Sequence, residues 1–253
     1  MNDARLMEVF MDVQRGLPRQ GPGSDDTTRR ALSLCAGLPA RPNILDIGCG
    51  PGKQSLNRAR HRPTPVTAVD LHQEYLDQLD RDARACGLRE MITPMRADMT
   101  DLPFADESFD LVWSEGAAYI MGVENALSEW KRLLRIGGYI AFSELTWFGD
   151  HPPQEAKQFF AQEYPAMRDV EANKALVKQA GYRLVGSFSI DESDWWDEYY
   201  SPLEAKLPAL REKYRSDDEA LAVIGMTATE IGMRRKFSSA YGYEFLVAQL
   251  TRA

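Results

Sequence analysis

The chain has 253 residues, 44% apolar and 27% charged, which suits one large soluble α/β domain or one domain carrying an insertion. A net charge of −8 and a pI near 5.1 repel phosphate backbones and weigh against a nucleic-acid partner. Three cysteines without a C-x-x-C pair, three scattered histidines and no apolar run of about 18 residues give no signal for a disulfide framework, a metal site or a membrane span, so the expected setting is a reducing cytoplasm.

Residues 3–17 carry Leu6, Met7, Phe10, Met11 and Val13 at near-helical spacing. Pro18 to Gly23 breaks that pattern, and Ser24 is the expected N-cap of a second helix reaching Leu34. A buried strand is expected at 43–48, then a glycine turn and a helix from Lys53 to about Arg60. The next strand, Val66 to Val69, ends at Asp70, and a helix from Glu74 to Cys86 stops at Gly87. Met91 to Met95 reads as a third strand and Phe109 to Trp113 as a fourth. Leu127, Trp130 and Leu134 suggest one face of a helix ended by Gly137-Gly138, before a fifth strand from Tyr139 to Leu145. A helix near 169–180 and a strand at 182–190 follow. About fifty residues without strand character then separate this from a last strand, Tyr243 to Leu250; helices are expected near 203–214 and 217–238. Strands alternating with helices imply parallel βαβ units with right-handed crossovers, hence a doubly wound sheet. On this pattern 1–39 is a helical cap, 40–190 the core, 191–240 a helical lid and 241–253 the last strand. Ligands in open α/β sheets bind at the carboxyl edge, where the lid would sit.

The most informative run is Ile44-Leu45-Asp46-Ile47-Gly48-Cys49-Gly50-Pro51-Gly52. Glycines at every second position after an apolar strand allow positive φ and remove the Cβ atoms that would block a ligand at a strand-to-helix turn. The spacing is D-x-G-x-G-x-G rather than the dinucleotide G-x-G-x-x-G, and Lys53 stands where the third glycine of that fingerprint belongs. The acidic residue ahead of the turn suits an ammonium group better than a pyrophosphate. Asp70 follows Gly48 by 22 residues, where a carboxylate can accept ribose hydroxyls or cap the next helix. Asp98-Met99-Thr100-Asp101-Leu102-Pro103-Phe104 follows the third strand; Asp101 and Asp110 read as turn residues.

Taken together, these residues resemble the class I S-adenosylmethionine-dependent methyltransferases over about residues 40–147. The resemblance implies a seven-stranded, mostly parallel, Rossmann-like sheet with N-terminal helices and a helical insertion before the last strand. It implies S-adenosylmethionine as cofactor and S-adenosylhomocysteine as product. The implied cofactor residues are Asp46, Gly48, Cys49, Gly50, Gly52, Asp70, Leu71, Asp98, Met99 and Ser114. The Arg19-Gln20-Gly21-Pro22-Gly23-Ser24 patch, Trp113-Ser114-Glu115-Gly116 and the Trp195-x-Asp197-x-Tyr199 pattern resemble a bacterial small-molecule subgroup without a settled substrate. Gln20 is a candidate for the cofactor's amino-acid end or for the substrate, although this patch also reads as a rigid linker. Glu115 and Tyr119 are candidates for handling the acceptor, Glu115 as a general base. Trp195 and Tyr199, beside Asp194, Asp197 and Glu198, are candidates for a cationic or planar substrate. The expected reaction is in-line methyl transfer to O, N or S of a small molecule. A catalytically silent cofactor-binding scaffold or regulatory subunit is the alternative, and a nicotinamide oxidoreductase is disfavoured by the glycine spacing. Oligomeric state stays open.

Overall fold

The structure, a computed structural model, describes residues 3–61 and 63–252. Five short apolar runs become parallel strands: β1 (Ile44–Ile47), β2 (Val66–Asp70), β3 (Ile92–Arg96), β4 (Phe109–Glu115) and β5 (Leu134–Trp147). A two-residue strand, β6 (Arg168–Asp169), runs parallel to the end of β5. The last two long strands, β7 (Tyr182–Ser189) and β8 (Tyr241–Leu250), are antiparallel to each other, and β8 is antiparallel to β5. The sheet order is β3-β2-β1-β4-β5-β8-β7. This is the class I methyltransferase-type, Rossmann-like arrangement, with eight strands where the sequence pattern announces seven.

Both sheet faces are covered. On one lie α2 (Asp25–Leu34), α3 (Lys53–His61) and α4 (Gln73–Ala85), packed with Ile44, Ala68, Trp113 and Phe245. On the other lie α5 (Val123–Glu129) and α7 (Val170–Gln179), packed with Leu45, Val112, Ile140 and Leu246. Strands buried on both faces explain why β1 reads as an unbroken apolar run interrupted only by Asp46. Ser24 caps α2 as expected, its hydroxyl accepting from the Thr27 N–H at 3.1 Å.

Two local expectations fail. The helix expected to reach Gly137 ends four residues earlier: a 3₁₀ turn, Trp130–Leu133, takes the chain out of α5, and Leu134 pairs with Phe109 in the ladder. Gly137, at φ +85°, then sits in a register shift between β4 and β5 rather than ending a helix. Helical spacing misleads because Leu133 and Leu134 are both buried, one closing the turn and one opening the strand. Also, α6 (Gln154–Glu163) and β6 arise in a stretch without clear periodicity. Phe160 anchors α6 by edge contacts with Trp147 and Tyr241, partners far apart in the chain.

The N- and C-terminal thirds meet over the carboxyl edge. α1 (Asp3–Gln14) packs against α9 (Ser201–Lys213) and α10 (Asp218–Phe237). Lys206 of α9 donates to the carbonyls of Asp12, Val13 and Arg15, satisfying acceptors that the end of α1 leaves open. Between β7 and α9 come α8 (Glu192–Trp195) and a π-helical turn, Trp196–Tyr200, which buries Tyr199 and Tyr200 side by side, ring centroids 4.8 Å apart.

Beneath the glycine turn lies a fully buried ion pair. Arg58 of α3 donates to Asp46 of β1 at 2.5 Å, both side chains having no exposure, and the guanidinium stacks 4.4 Å from the Trp113 ring. Ser55 also donates to Asp46. Arg58→Met should leave a buried carboxylate unpaired and cost about 3–5 kcal/mol, whereas Asp46→Leu with Arg58→Met should recover much of that loss. Urea unfolding of the single and double variants measures this; equal losses would show that the pair contributes only packing.

Candidate functional site

Strand order reverses at β1, with β2 on one side and β4 on the other, so the loops leaving these strands diverge and open a crevice. A cavity of about 570 Å³ lies there. Its floor is the glycine turn. Gly48 and Gly50 have φ of +68° and +53°, the left-handed region that a side chain would strain. A Cβ at Gly48 would collide with Ala117, and one at Gly50 would come within 3.2 Å of Gln20. Gly48, Cys49 and Gly50 all line the cavity.

Asp70, at the tip of β2, faces the same space. One of its oxygens accepts from the Gly50 N–H at 2.9 Å and the other from the His72 N–H at 2.9 Å. His72, not Asp70, is the N-cap of α4, so the carboxylate braces the glycine turn instead of starting the helix. Leu71, Asp98 and Met99 also line the cavity. Asp98 is exposed; its Oδ1 accepts from the Thr100 N–H at 2.9 Å and hydroxyl at 2.7 Å, bonds that hold its carboxyl below the usual range. Gln20 closes the other side, accepting from the Tyr75 hydroxyl at 2.8 Å.

Three of the expected cofactor residues lie beneath the wall rather than in it. Asp46 is fully buried and does not line the cavity; its Oδ2 accepts from Arg58 and Ser55, and its Oδ1 has no partner among the described residues. Gly52, at φ +77°, is needed because any side chain there would strike Leu79 of α4. Ser114 is buried and donates to the Ile47 carbonyl at 3.0 Å, tying β4 to β1.

Glu115 lines the cavity, yet both its oxygens are engaged. Oε1 accepts from Trp113 Nε1 and from the Thr28 hydroxyl, each at 2.9 Å, and Oε2 from Arg19 at 3.2 Å. Burial raises its pKa, opposed by the positive charges of Arg19 and Arg58. Arg19, only 4% exposed, also donates to Glu198 at 2.8 Å and Asp25 at 3.1 Å. Desolvation works against its charge, and these carboxylates outweigh it, so its pKa stands above the ordinary value. The Gly23 N–H donates to the Asp194 carbonyl at 3.1 Å, and Thr27 donates to the Asp194 side chain. Thus Asp194 and Glu198 strap the N-terminal segment to the insertion, and exposed Asp197 stands apart from both. Arg19 carried no sequence signal beyond preceding Gln20, because two of its three acidic partners are about a hundred residues or more away.

A second chamber, about 320 Å³, shares Gln20, Gly21, Pro22, Gly116 and Tyr119 with the first. Trp195 and Tyr199, the two candidates for substrate contact, line it, joined by Tyr200, Tyr241 and Tyr243. Tyr119 forms part of both walls and meets Tyr164 edge-on, centroids 5.6 Å apart. Nearby, Glu144 of β5 is buried directly opposite Glu244 of β8. Glu144 Oε1 accepts from the Tyr164 hydroxyl at 2.7 Å, Oε2 has no partner, and burial pushes its pKa up to about 7.

Comparison with known proteins agrees with this geometry. The family described as "Methyltransferase domain" matches residues 45–142. The chain is 36% identical over 134 residues to a malonyl-[acyl-carrier protein] O-methyltransferase of Enterobacter lignolyticus, covering 52% of this chain and 51% of that protein. It is 26% identical over 169 residues to the 27-O-demethylrifamycin SV methyltransferase of Amycolatopsis mediterranei, covering 66% and 56%. The chain thus spans about half the length of these curated relatives. A solved methyltransferase of Geobacter sulfurreducens, in complex with S-adenosylhomocysteine, superposes with a TM-score of 0.82 at 20% identity, covering 96% of this chain and 98% of that one. Among the described residues no helix is long and apolar enough to cross a membrane.

Arg19→Gln should strand the buried Glu115 charge, cost about 3 kcal/mol in urea unfolding and speed chymotryptic cleavage near Phe10; wild-type stability and cleavage would show the hub to be dispensable. Glu144 keeps its proton in the folded state up to about pH 7 while the unfolded chain releases it near 4.5, so stability falls as pH rises across that window. Glu144→Gln should therefore match wild type at pH 5 and exceed it by about 2–3 kcal/mol at pH 8. Parallel unfolding curves at both pH values for the two proteins would contradict this.

Proposed function

We propose that this chain, whose residues 45–142 match the family described as "Methyltransferase domain", transfers a methyl group from S-adenosylmethionine to a small-molecule acceptor in the second chamber. The observation that carries this reading is the shared wall between the glycine-floored cavity and the aromatic chamber. The residues of the first cavity fit the nucleoside. A side-chain-free floor at Gly48 and Gly50 admits close approach, and Cβ atoms there would fill it. Asp70 suits the ribose hydroxyls; Asp98 and the Met99 N–H suit the edge of adenine. Leu71 and Met99 supply apolar walls, and Gln20 with Cys49 borders the amino-acid end. When bound, S-adenosylmethionine supplies an electrophilic methyl group on a sulfonium sulfur.

The chain's own work is then positional. The acceptor atom must stand roughly 3 Å from the reacting carbon, in line with the bond that breaks. Tyr119, belonging to both walls, is placed to orient that atom. α1, the Arg19–Ser24 segment and α8–α10 close over the carboxyl edge and exclude water. Glu115 acts here as a positioning residue, because both oxygens already hold Arg19, Thr28 and Trp113.

Calorimetry with S-adenosylhomocysteine should give a measurable affinity, and Asp70→Ala should weaken it at least tenfold; no affinity in the wild-type protein would overturn the proposal. Mass spectrometry should detect S-adenosylhomocysteine formed from S-adenosylmethionine when a mixed pool of small amines, alcohols and thiols is supplied. Tyr119→Phe should lower that turnover by more than it weakens nucleoside binding.

A further inference from the structure

The second chamber has a sharper chemical character than its aromatic lining alone conveys. Two carboxylates line it, Glu230 of α10 and Glu163 at the end of α6, and among the described residues no lysine, arginine or histidine does. Glu230 makes one hydrogen bond, accepting from the Tyr200 hydroxyl at 2.7 Å. Desolvation pushes its pKa up, the Tyr200 bond pulls it down, and Glu163 pushes it further up. Among the described residues, partly buried Glu230 forms no ion pair, so it lacks the counter-charge that sequestered acids ordinarily find.

Two further groups in the same wall are left incomplete. Trp195 Nε1 and the Tyr241 hydroxyl belong to side chains that are 2% and 1% exposed, and neither has a hydrogen-bond partner. The Arg234 guanidinium stacks 4.0 Å from the Trp195 ring, but it donates to the Tyr241 carbonyl and to Glu192 and is not part of the chamber's lining. The rings of Phe159, Phe160, Tyr164, Trp195, Tyr199 and Tyr243 complete the surround. Aromatic faces attract cations through their quadrupoles, and a desolvated carboxylate adds direct attraction. The same surround repels carboxylate and phosphate groups, for which it offers no positive partner.

We propose that this chamber binds a small organic ammonium ion, held by Glu230 and the surrounding rings, and so selects amines over anionic or neutral molecules. The inference rests on reading the first cavity as the nucleoside site only in assigning the bound amine as the acceptor, its ammonium proton passing to the Glu230 carboxylate so that the nitrogen lone pair is free; the binding preference stands on the chamber's own residues. The sequence pattern sets Asp194, Asp197 and Glu198 beside the aromatic run as the acids for a cationic ligand. In the fold Asp194 and Glu198 are spent on Thr27, Arg19 and Lys53, and the carboxylates that remain come from α6 and α10.

Choline and its uncharged isostere 3,3-dimethylbutan-1-ol are the probes, titrated calorimetrically at pH 7.5 with and without saturating S-adenosylhomocysteine. Wild-type protein should bind choline at least tenfold more tightly than the isostere. Glu230→Gln should remove that preference by weakening choline at least tenfold while leaving S-adenosylhomocysteine affinity within about twofold. Equal affinity for both probes, binding of neither, or an undiminished preference in the variant would overturn the proposal. The wild-type comparison needs no substitution, so it decides the matter even if the variant misfolds. Titration without nucleoside separates failure here from failure of the first cavity: lost nucleoside binding with choline preference retained would refute only the methyltransferase reading.

Discussion

A guanidinium removed from water must find negative partners, and Arg19 finds three of them on three different parts of the chain. Glu115 ends β4, Asp25 opens α2 and Glu198 lies in the turn that begins the insertion. One buried positive charge therefore joins the sheet edge, the N-terminal helices and the lid. Gln20, Gly21 and Pro22 follow it directly and form the partition between the two cavities. If Arg19 were displaced, the partition would lose its anchor, and Glu115 would face a cavity as an unpaired acid. The position of the site's dividing wall is thus set by electrostatics, with apolar packing filling in around it.

The two cavities separate polarity in a way that suits two different guests. The first offers backbone, apolar side chains and three carboxylates at or just past strand tips, Asp70, Asp98 and Glu115, with Arg19 and His72 also at its edge. Among the described residues, the second offers rings and carboxylates and no lining cation. Tyr119 and Gly116 stand at the junction, and Gly116 has φ +62° with the Tyr243 hydroxyl 3.5 Å from where a Cβ would lie. A side chain there would strain the backbone at the shared wall.

Much of the core was legible because its signals are local. An apolar strand, a run of glycines and a carboxylate at the next strand tip act through neighbours a few residues away, so Gly48, Gly50 and Asp70 could be read from spacing, while Asp98 and Met99 were implied by the family resemblance; all five line one cavity. Gly52 and Asp46 belong to the same motif but face the other way. Gly52 packs on Leu79 and Asp46 pairs with Arg58, so the motif encodes the support of the turn as well as its ligand face. The helix expected through Leu134 failed for a related reason, since two adjacent leucines can serve a turn and a strand as well as a helix face.

Sequence alone determined the fold class and the glycine floor, because periodicity and backbone permissiveness are properties of short segments; the strand order and its switch point came from the fold. Only the tertiary structure decided that Glu115 is braced by Arg19, that Asp194 and Glu198 are consumed as straps, and that Glu230 is the carboxylate left facing the aromatic chamber. Charge pairing depends on which distant segments meet, and that meeting is settled by packing of the lid and the N-terminal helices, which no local pattern records.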